Sequence, residues 1–398
     1  MDHIAVIGAG QAGATACETL RAEGHAGRLT LWGDEPHLPY QRPPLSKAYL
    51  LGEMDGARLA LRPRAFWEAR GVELRTGTPV TALDPAARIL THAGGTEGFD
   101  ACILATGARP HRLPDRCTAG LGGVHVIRGL ADIDALRPEM TEGRRLLVVG
   151  GGYVGLEAAA VARKLGLHVT LVELNVRVLA RVACAPTAEW ARALHRDHGV
   201  DLREGVGLDT LLGEGRATAA RLTDGTEIPV DLVIAGIGAA PDTRLAEAAG
   251  LTVDDGIACD DRGATSAPGV WAAGDCASFP HEGRRVRLES VGNAIDMAAA
   301  VARNVLGADA PYVPKPWFWS DQYDAKLQIV GLNEGFDDIV TREDAGRSHW
   351  YFAGDRLLAV DAMDDPRAYM VAKRLIDAGR SPDRAALADP ATPLKALL

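Results

Sequence analysis

Two glycine fingerprints in one chain, GAGQAG at Gly8–Gly13 and GGGYVG at Gly150–Gly155, constrain the fold more than any other feature. With 45 glycines in 398 residues the bare pattern carries little weight, and the flanks supply it. Each fingerprint follows a short apolar strand, Ile4–Ile7 or Leu146–Val149, and opens a helical pattern, Ala12–Leu20 or Val154–Leu165. Roughly 20 residues on, an acid closes the next strand: Asp34 after LTLWG and Glu173 after VTLV. This order brings a helix N-terminus to a pyrophosphate, keeps side chains out of the approach and offers a carboxylate to ribose hydroxyls. The expectation is an α/β chain with two Rossmann-like dinucleotide-binding domains.

A chain of 398 residues has room for two or three domains with complete cores. Net charge of −10 argues against nucleic acid as a partner. No stretch approaches the roughly 18 apolar residues of a membrane span, since Leu146–Ala162 is glycine-rich and carries Glu157. The first strand begins within a few residues of Met1, with no room for a signal segment, so the expected compartment is the cytoplasm. The cysteines Cys17, Cys102, Cys117, Cys184, Cys259 and Cys276 form no C-x-x-C pair and read as small buried apolar residues. The 11 histidines show no metal-ligand spacing, and no metal site is expected.

Between the fingerprints strands and helices alternate up to ACILATG at Ala101–Gly107 and a basic crossover at Arg109–Asp115. A return crossover is expected at Ala239–Arg244. In TSAPGVWAAGD, Thr265–Asp275, an apolar strand delivers Gly274 and Asp275 to what reads as a strand-to-helix turn, where a carboxylate can bind polyol hydroxyls such as those of a flavin's ribityl chain. Past Pro311–Pro316 the aromatic run WFWSDQY (Trp317–Tyr323) and alternating segments at Leu327–Val330 and Arg356–Val360 predict antiparallel strands, followed by a helix at Pro366–Ala378. The expected division is residues 1–112 and 244–312 for the first dinucleotide domain, 113–243 for the second, and 313–398 for a C-terminal α+β domain.

The order of these motifs resembles that of the flavin-dependent pyridine-nucleotide disulfide oxidoreductases, with a glutathione-reductase-like architecture. YQRPPLSKAYL (Tyr40–Leu50), GGGYVGLEAAA (Gly150–Ala160), RLESVGNA (Arg287–Ala294), WFWSDQY and PLKALL (Pro393–Leu398) make it similar, over essentially its whole length, to ferredoxin reductases of the putidaredoxin-reductase type, which serve bacterial cytochrome P450s and Rieske oxygenases. The resemblance implies an FAD site at Gly8, Gly10, Ala12, Gly13, Asp34, Lys47, Val80, Arg128, Asp275 and Val291. It implies an NADH site at Gly150, Gly152, Tyr153, Val154, Gly155, Glu157 and Glu173. Gly292 departs from the relatives, which often carry Pro or Gln there. The implied activity passes electrons from NADH through FAD to a [2Fe–2S] ferredoxin, and a monomer is expected.

Further roles follow from the resemblance together with residue chemistry. Lys47 and Glu157 are expected to form an ion pair beside the reacting flavin edge, and the helix starting at Val291 to turn its N-terminal dipole toward the flavin. Glu173 favours NADH over NADPH by repelling a 2′-phosphate, a repulsion that Arg177 could offset. Trp319, with Trp317, is a candidate lining for the electron exit. Cations for docking an acidic ferredoxin are sought among Arg62, Arg64, Arg284, Arg285, Arg287, Lys315 and Lys326.

Rival readings are a rubredoxin reductase, an NADH oxidase or peroxidase, an apoptosis-inducing-factor-like binding flavoprotein and a monodehydroascorbate reductase. LSKAYLL at Leu45–Leu51 lacks the redox cysteine that the oxidases and disulfide reductases use, and the chain shows neither the targeting segment nor the basic surface of the apoptotic branch.

Overall fold

The computed structural model describes residues 1–398, which divide into two compact units. The first comprises Met1–Gln41, Gly56–Arg109 and Ala240–Pro316. Its sheet is fully parallel, in the order Val270–Ala272, Ala101–Leu104, His3–Ile7, Arg28–Trp32, Val72–Arg75. The first strand is buried at every position, as a sheet covered on both faces requires. Chain order reverses beside that strand, the place where doubly wound sheets open a crevice at their carboxyl ends. The helices Gln11–Ala22 and Val291–Val305 pack on one another, closing a core that includes Leu20, Leu31, Trp32, Ile103, Met297 and Val301.

The second unit comprises Arg42–Asp55, Pro110–Ala239 and Trp317–Leu398. It repeats the design with a parallel sheet in the order Asp201–Glu204, His168–Glu173, Arg145–Val149, Leu232–Ala235, Val124–His125. Within the same unit the C-terminal stretch forms a five-stranded antiparallel sheet in the order Trp317–Gln322, Ala325–Gly331, Arg356–Met363, Arg347–Ala353, Asp338–Glu343. Side chains alternate across that sheet. Val330, Trp350 and Val360 share a core with Val371 and Leu375 of the helix Pro366–Asp377. Ser320, Gln322 and Asp361, at alternate positions, reach Glu157, His195 and Thr187 on the helices Tyr153–Lys164 and Ala185–Asp197. The α/β class with a C-terminal α+β element is borne out. The turn after Gly274 is a correction: Gly274–Cys276 is a single 3-10 turn leading into a strand, Ala277–His281, not a helix. Phe279 pairs with Val286 in a hairpin and Pro280 cannot donate within a helix, so extended backbone wins there.

Candidate functional site

The first fingerprint builds a bare cradle. Gly8 has φ +116, and a Cβ on it would lie 2.1 Å from the Ala105 carbonyl oxygen; one on Gly13 would lie 1.9 Å from that of Gly8. Neither position admits a side chain without moving backbone. Gly10 is different: no atom lies within 4 Å of its would-be Cβ, so its bareness serves an approaching molecule and not the fold. The helix Gln11–Ala22 starts at Gly10 with no side-chain cap and no acid in its first turn, which leaves N–H groups for an anion.

Gly274 brings the Asp275 turn to this place, its would-be Cβ only 2.9 Å from Cβ of Ala12 and 3.9 Å from Cα of Ala294 in the Val291–Val305 helix. Ser290 caps that helix, accepting from Asn293 N–H at 3.1 Å. A cavity of about 320 Å³ is lined by Gly8, Asp34, Val80, Thr106, Asp242 and Arg244. Asp34 is exposed and accepts from the Glu35 N–H at 3.0 Å. The open position at Gly10, the uncapped helix and the exposed carboxylate beside a cavity fit an adenine dinucleotide such as FAD. Gly8, Gly10, Ala12, Gly13, Asp34, Val80, Asp275 and Val291 all belong to the first unit, whereas Lys47 and Arg128 belong to the second.

The second fingerprint has nearly the same backbone. Gly150 has φ +107; a Cβ on Gly155 would lie 2.1 Å from the Gly150 carbonyl oxygen, and Gly152 is open. The acid is handled differently. Glu173 is 8% exposed. It accepts from Gly151 N–H at 2.7 Å through Oε2 and from Asn175 through Oε1, at 2.7 Å from the backbone N–H and 2.6 Å from Nδ2. Of the carboxylate's roughly four acceptor positions, these three bonds leave about one for a ribose hydroxyl. Val154, 42% exposed, and Tyr153 begin the helix Tyr153–Lys164, again without a side-chain cap or first-turn acid. These residues fit a nicotinamide dinucleotide. The Arg177 guanidinium is spent on loop carbonyls, donating to Ala183 at 2.8 Å and Ala180 at 3.3 Å.

Further along that helix, Glu157 is 3% exposed and receives three donors: Lys47 Nζ at 2.7 Å, Ser320 Oγ at 2.6 Å and Ser46 Oγ at 2.5 Å. Lys47 follows a 3-10 turn, Pro43–Ser46, in a segment anchored to the second unit by Arg42 on the Arg128 carbonyl at 2.7 Å and by the Tyr49 hydroxyl on Asp134 at 2.7 Å. The ion pair expected from sequence is present. Ser46, Ser320 and Asn175 were not anticipated. Ser320 sits next to Trp319, and strand alternation alone puts it on the opposite face, but nothing in the chain announces Glu157 as its partner. Trp319 is half-buried and stacks on Trp317 with ring centroids 5.5 Å apart.

All six cysteines are free and buried, and burial pushes the Cys17, Cys102 and Cys276 thiols up, away from the reactive thiolate. Among the candidate docking cations, Arg62 pairs with Glu18 at 3.2 Å, Arg285 with Asp254 at 3.6 Å, Arg287 with Asp255 at 3.2 Å and Lys326 with Asp321 at 3.8 Å. The charge of these four is largely answered within the chain. No group of three or more His, Cys, Asp or Glu side chains is arranged to hold a metal ion, and no helix is long and apolar enough to cross a membrane.

Comparison with known proteins agrees with this geometry. Residues 2–298 match the pyridine nucleotide-disulphide oxidoreductase family, and residues 317–398 match the reductase C-terminal domain. A ferredoxin–NAD(P)+ reductase of a Sphingomonas species is 42% identical over 98% of this chain and 96% of that protein. Putidaredoxin reductase of Pseudomonas putida is 39% identical over 100% and 97%. Among solved structures, the covalent putidaredoxin reductase–putidaredoxin complex superposes with a TM-score of 0.95 at 39% identity, covering 100% of this chain and 98% of the other. The ferredoxin reductase for the CYP199A2 system from Rhodopseudomonas palustris gives 0.96 at 38%, covering all of both chains. With two cradles of matching backbone geometry and these matches along its whole length, the chain belongs to the pyridine nucleotide-disulphide oxidoreductase family.

Proposed function

We propose that this chain is an FAD-containing, NADH-dependent ferredoxin reductase that draws electrons from NADH and hands them singly to a [2Fe–2S] ferredoxin serving a cytochrome P450 or Rieske oxygenase. The observation that carries the reading is the conjunction of two dinucleotide cradles in one chain with cysteines that are all buried, so electrons have no accessible thiol to rest on. Relatives named as putidaredoxin reductase and as the ferredoxin–NAD(+) reductases of p-cumate and benzene dioxygenase systems, 38–39% identical, support the same acceptor.

A flavin, when bound, supplies the exchange between two-electron and one-electron transfer. This chain's residues do the positioning. In the first cradle Gly10 and the helix N-terminus receive the pyrophosphate, Asp34 the ribose and Asp275 the polyol hydroxyls. Residues 1–112 and 244–312 form this FAD-binding domain, with the segment Arg42–Asp55 grouped in the second compact unit. In the second, residues 113–243, Gly152 and the Tyr153–Lys164 N-terminus receive the NADH pyrophosphate, and Glu173 the ribose. Because Glu173 is buried and Arg177 is committed to carbonyls, a 2′-phosphate meets negative charge without an available guanidinium, which favours NADH. Glu157, one turn into the same helix, and the Lys47 that pairs with it orient the reacting end of the nicotinamide. Residues 313–398, with Trp319, carry the partner-facing surface of a monomeric cytoplasmic enzyme.

Steady-state NADH oxidation against a panel of [2Fe–2S] ferredoxins tests this. The expected result is ferredoxin reduction far faster than oxygen consumption, falling as salt rises; rapid oxygen consumption with no ferredoxin accepting electrons would overturn it.

A further inference from the structure

Glu157 does not end the polar arrangement around Lys47. Ser320 Oγ, which lies 2.6 Å from Glu157 Oε1, also lies 3.1 Å from Gln322 Nε2. Gln322 Oε1 is 2.8 Å from His195 Nε2, and His195 Nδ1 is 3.2 Å from the Tyr323 hydroxyl. Glu157, Ser320, Gln322 and His195 are each 3% exposed or less. Three elements meet to build this line: the edge strand Trp317–Gln322 and the helices Tyr153–Lys164 and Ala185–Asp197.

The direction of every bond follows from one end. A carboxylate facing an ammonium only accepts, so the Ser320 hydroxyl donates to Glu157 and its oxygen is left to accept from the Gln322 amide N–H. The Gln322 carbonyl then faces His195 Nε2, which must carry the ring proton, leaving Nδ1 to accept from Tyr323. Each group donates toward Glu157. Burial holds His195 neutral, with its pKa lowered to about 4, so the line keeps this polarity over the working pH range. A primary amide in the middle does not pass protons on, so the line orients and does not conduct. Buried polar networks are often no more stabilising than apolar packing of similar volume, and the single polarity of this one suits orientation.

We infer that Ser320, Gln322 and His195 form a positioning relay by which the C-terminal sheet fixes the Glu157 carboxylate and, through it, the Lys47 ammonium. The inference rests on the reading that Lys47 and Glu157 orient the nicotinamide. Ser320 is thus a positioning residue contributed by the C-terminal domain to the NADH site.

The test uses the FAD-loaded full chain in five forms: wild type, Ser320→Ala, Ser320→Thr, Glu157→Gln and the Ser320→Ala/Glu157→Gln double variant. Anaerobic rapid mixing with NADH separates the limiting rate of flavin reduction from NADH affinity. Mass spectrometry follows the acylation rate of the Lys47 amine relative to Lys373 and Lys395. Ser320→Ala is expected to lower the limiting rate roughly 10-fold with little change in affinity, to raise Lys47 acylation several-fold, to be rescued by Ser320→Thr, and to add nothing on top of Glu157→Gln. A wild-type limiting rate and unchanged Lys47 acylation in Ser320→Ala, alongside a slow Glu157→Gln, would overturn the relay while leaving the pair's role intact. A Glu157→Gln variant as fast as wild type would instead remove the underlying reading. Full additivity in the double variant, or a uniform rise in acylation of all three lysines, would also overturn the relay.

Discussion

The two cradles share a backbone and differ in what stands behind it. Gly8, Gly10 and Gly13 match Gly150, Gly152 and Gly155 in φ, in open space and in close approach. Yet the first unit buries no carboxylate, and its helices meet through Ala12, Ala294, Met297 and Val301. The second buries Glu157, Glu173, Asp361 and Asp365. One cradle is held by apolar packing and leaves its acid, Asp34, exposed for the ligand; the other is held by buried hydrogen bonds and uses its acid, Glu173, as part of the frame. The lesson is that a fingerprint reports the approach to a pyrophosphate and says little about how rigidly, or at what pH, that approach is maintained.

Glycine substitutions should give the largest effects and probe what is common to both sites. Gly13→Ala and Gly155→Ala force a Cβ onto backbone, with a destabilisation of about 3 kcal/mol or more, seen as a lower denaturant midpoint. Gly10→Ala and Gly152→Ala meet open space, so the fold should keep its melting temperature while Gly10→Ala loses flavin on gel filtration and Gly152→Ala binds NADH much more weakly. An equal loss of stability in all four would mean that the glycines are structural only.

Acid should separate the units. His195 and His349 are buried with pKa values lowered to about 4, so the unfolded chain takes up protons that the native one does not as pH falls from 6.5. Native stability therefore declines between about pH 6.5 and 4, by on the order of 2–3 kcal/mol per histidine. Asp361, with its pKa raised by burial to about 6 from 3.8, works the other way and loses stability as pH rises through that window. The histidines outnumber it. Hydrogen exchange should show the second unit opening first on acidification, and His349→Gln should flatten the dependence; first-unit amides opening first would contradict the comparison.

The two acids should part company next. Glu173→Ala strands the N–H groups of Gly151 and Asn175 and should cost about 1–3 kcal/mol of stability along with NADH affinity. Asp34→Ala should leave the melting temperature within error and weaken only FAD retention. The smallest effect concerns Arg177: since its guanidinium bonds carbonyls, Arg177→Met should loosen that loop by about 1 kcal/mol without altering the preference between NADH and NADPH.

Much of this was legible in the chain. Strand, glycine turn, helix and acid are local in sequence, so both cradles and the α/β class could be read from Gly8–Asp34 and Gly150–Glu173. Lys47 and Glu157 were reachable as a pair only through resemblance, because Glu157 lies 111 positions along the chain from Ser46, the residue before Lys47. Ser320, Gln322 and His195 were not reachable at all. Their polarity reads as an ordinary strand and helix surface until the tertiary fold buries it. The strand after Gly274 was missed because the hairpin that pairs Phe279 with Val286 overrides the local turn signal.

The central claim is that two dinucleotide cradles in one chain move electrons from NADH to a protein acceptor without a thiol. The most direct measurement reduces the FAD-loaded chain with NADH anaerobically, adds oxidised [2Fe–2S] ferredoxin, and repeats both steps after alkylating every accessible cysteine. The expected result is two equivalents of reduced ferredoxin per NADH, at rates unchanged by alkylation. Loss of ferredoxin reduction on alkylation, or flavin reduction with no ferredoxin reduced, would contradict it.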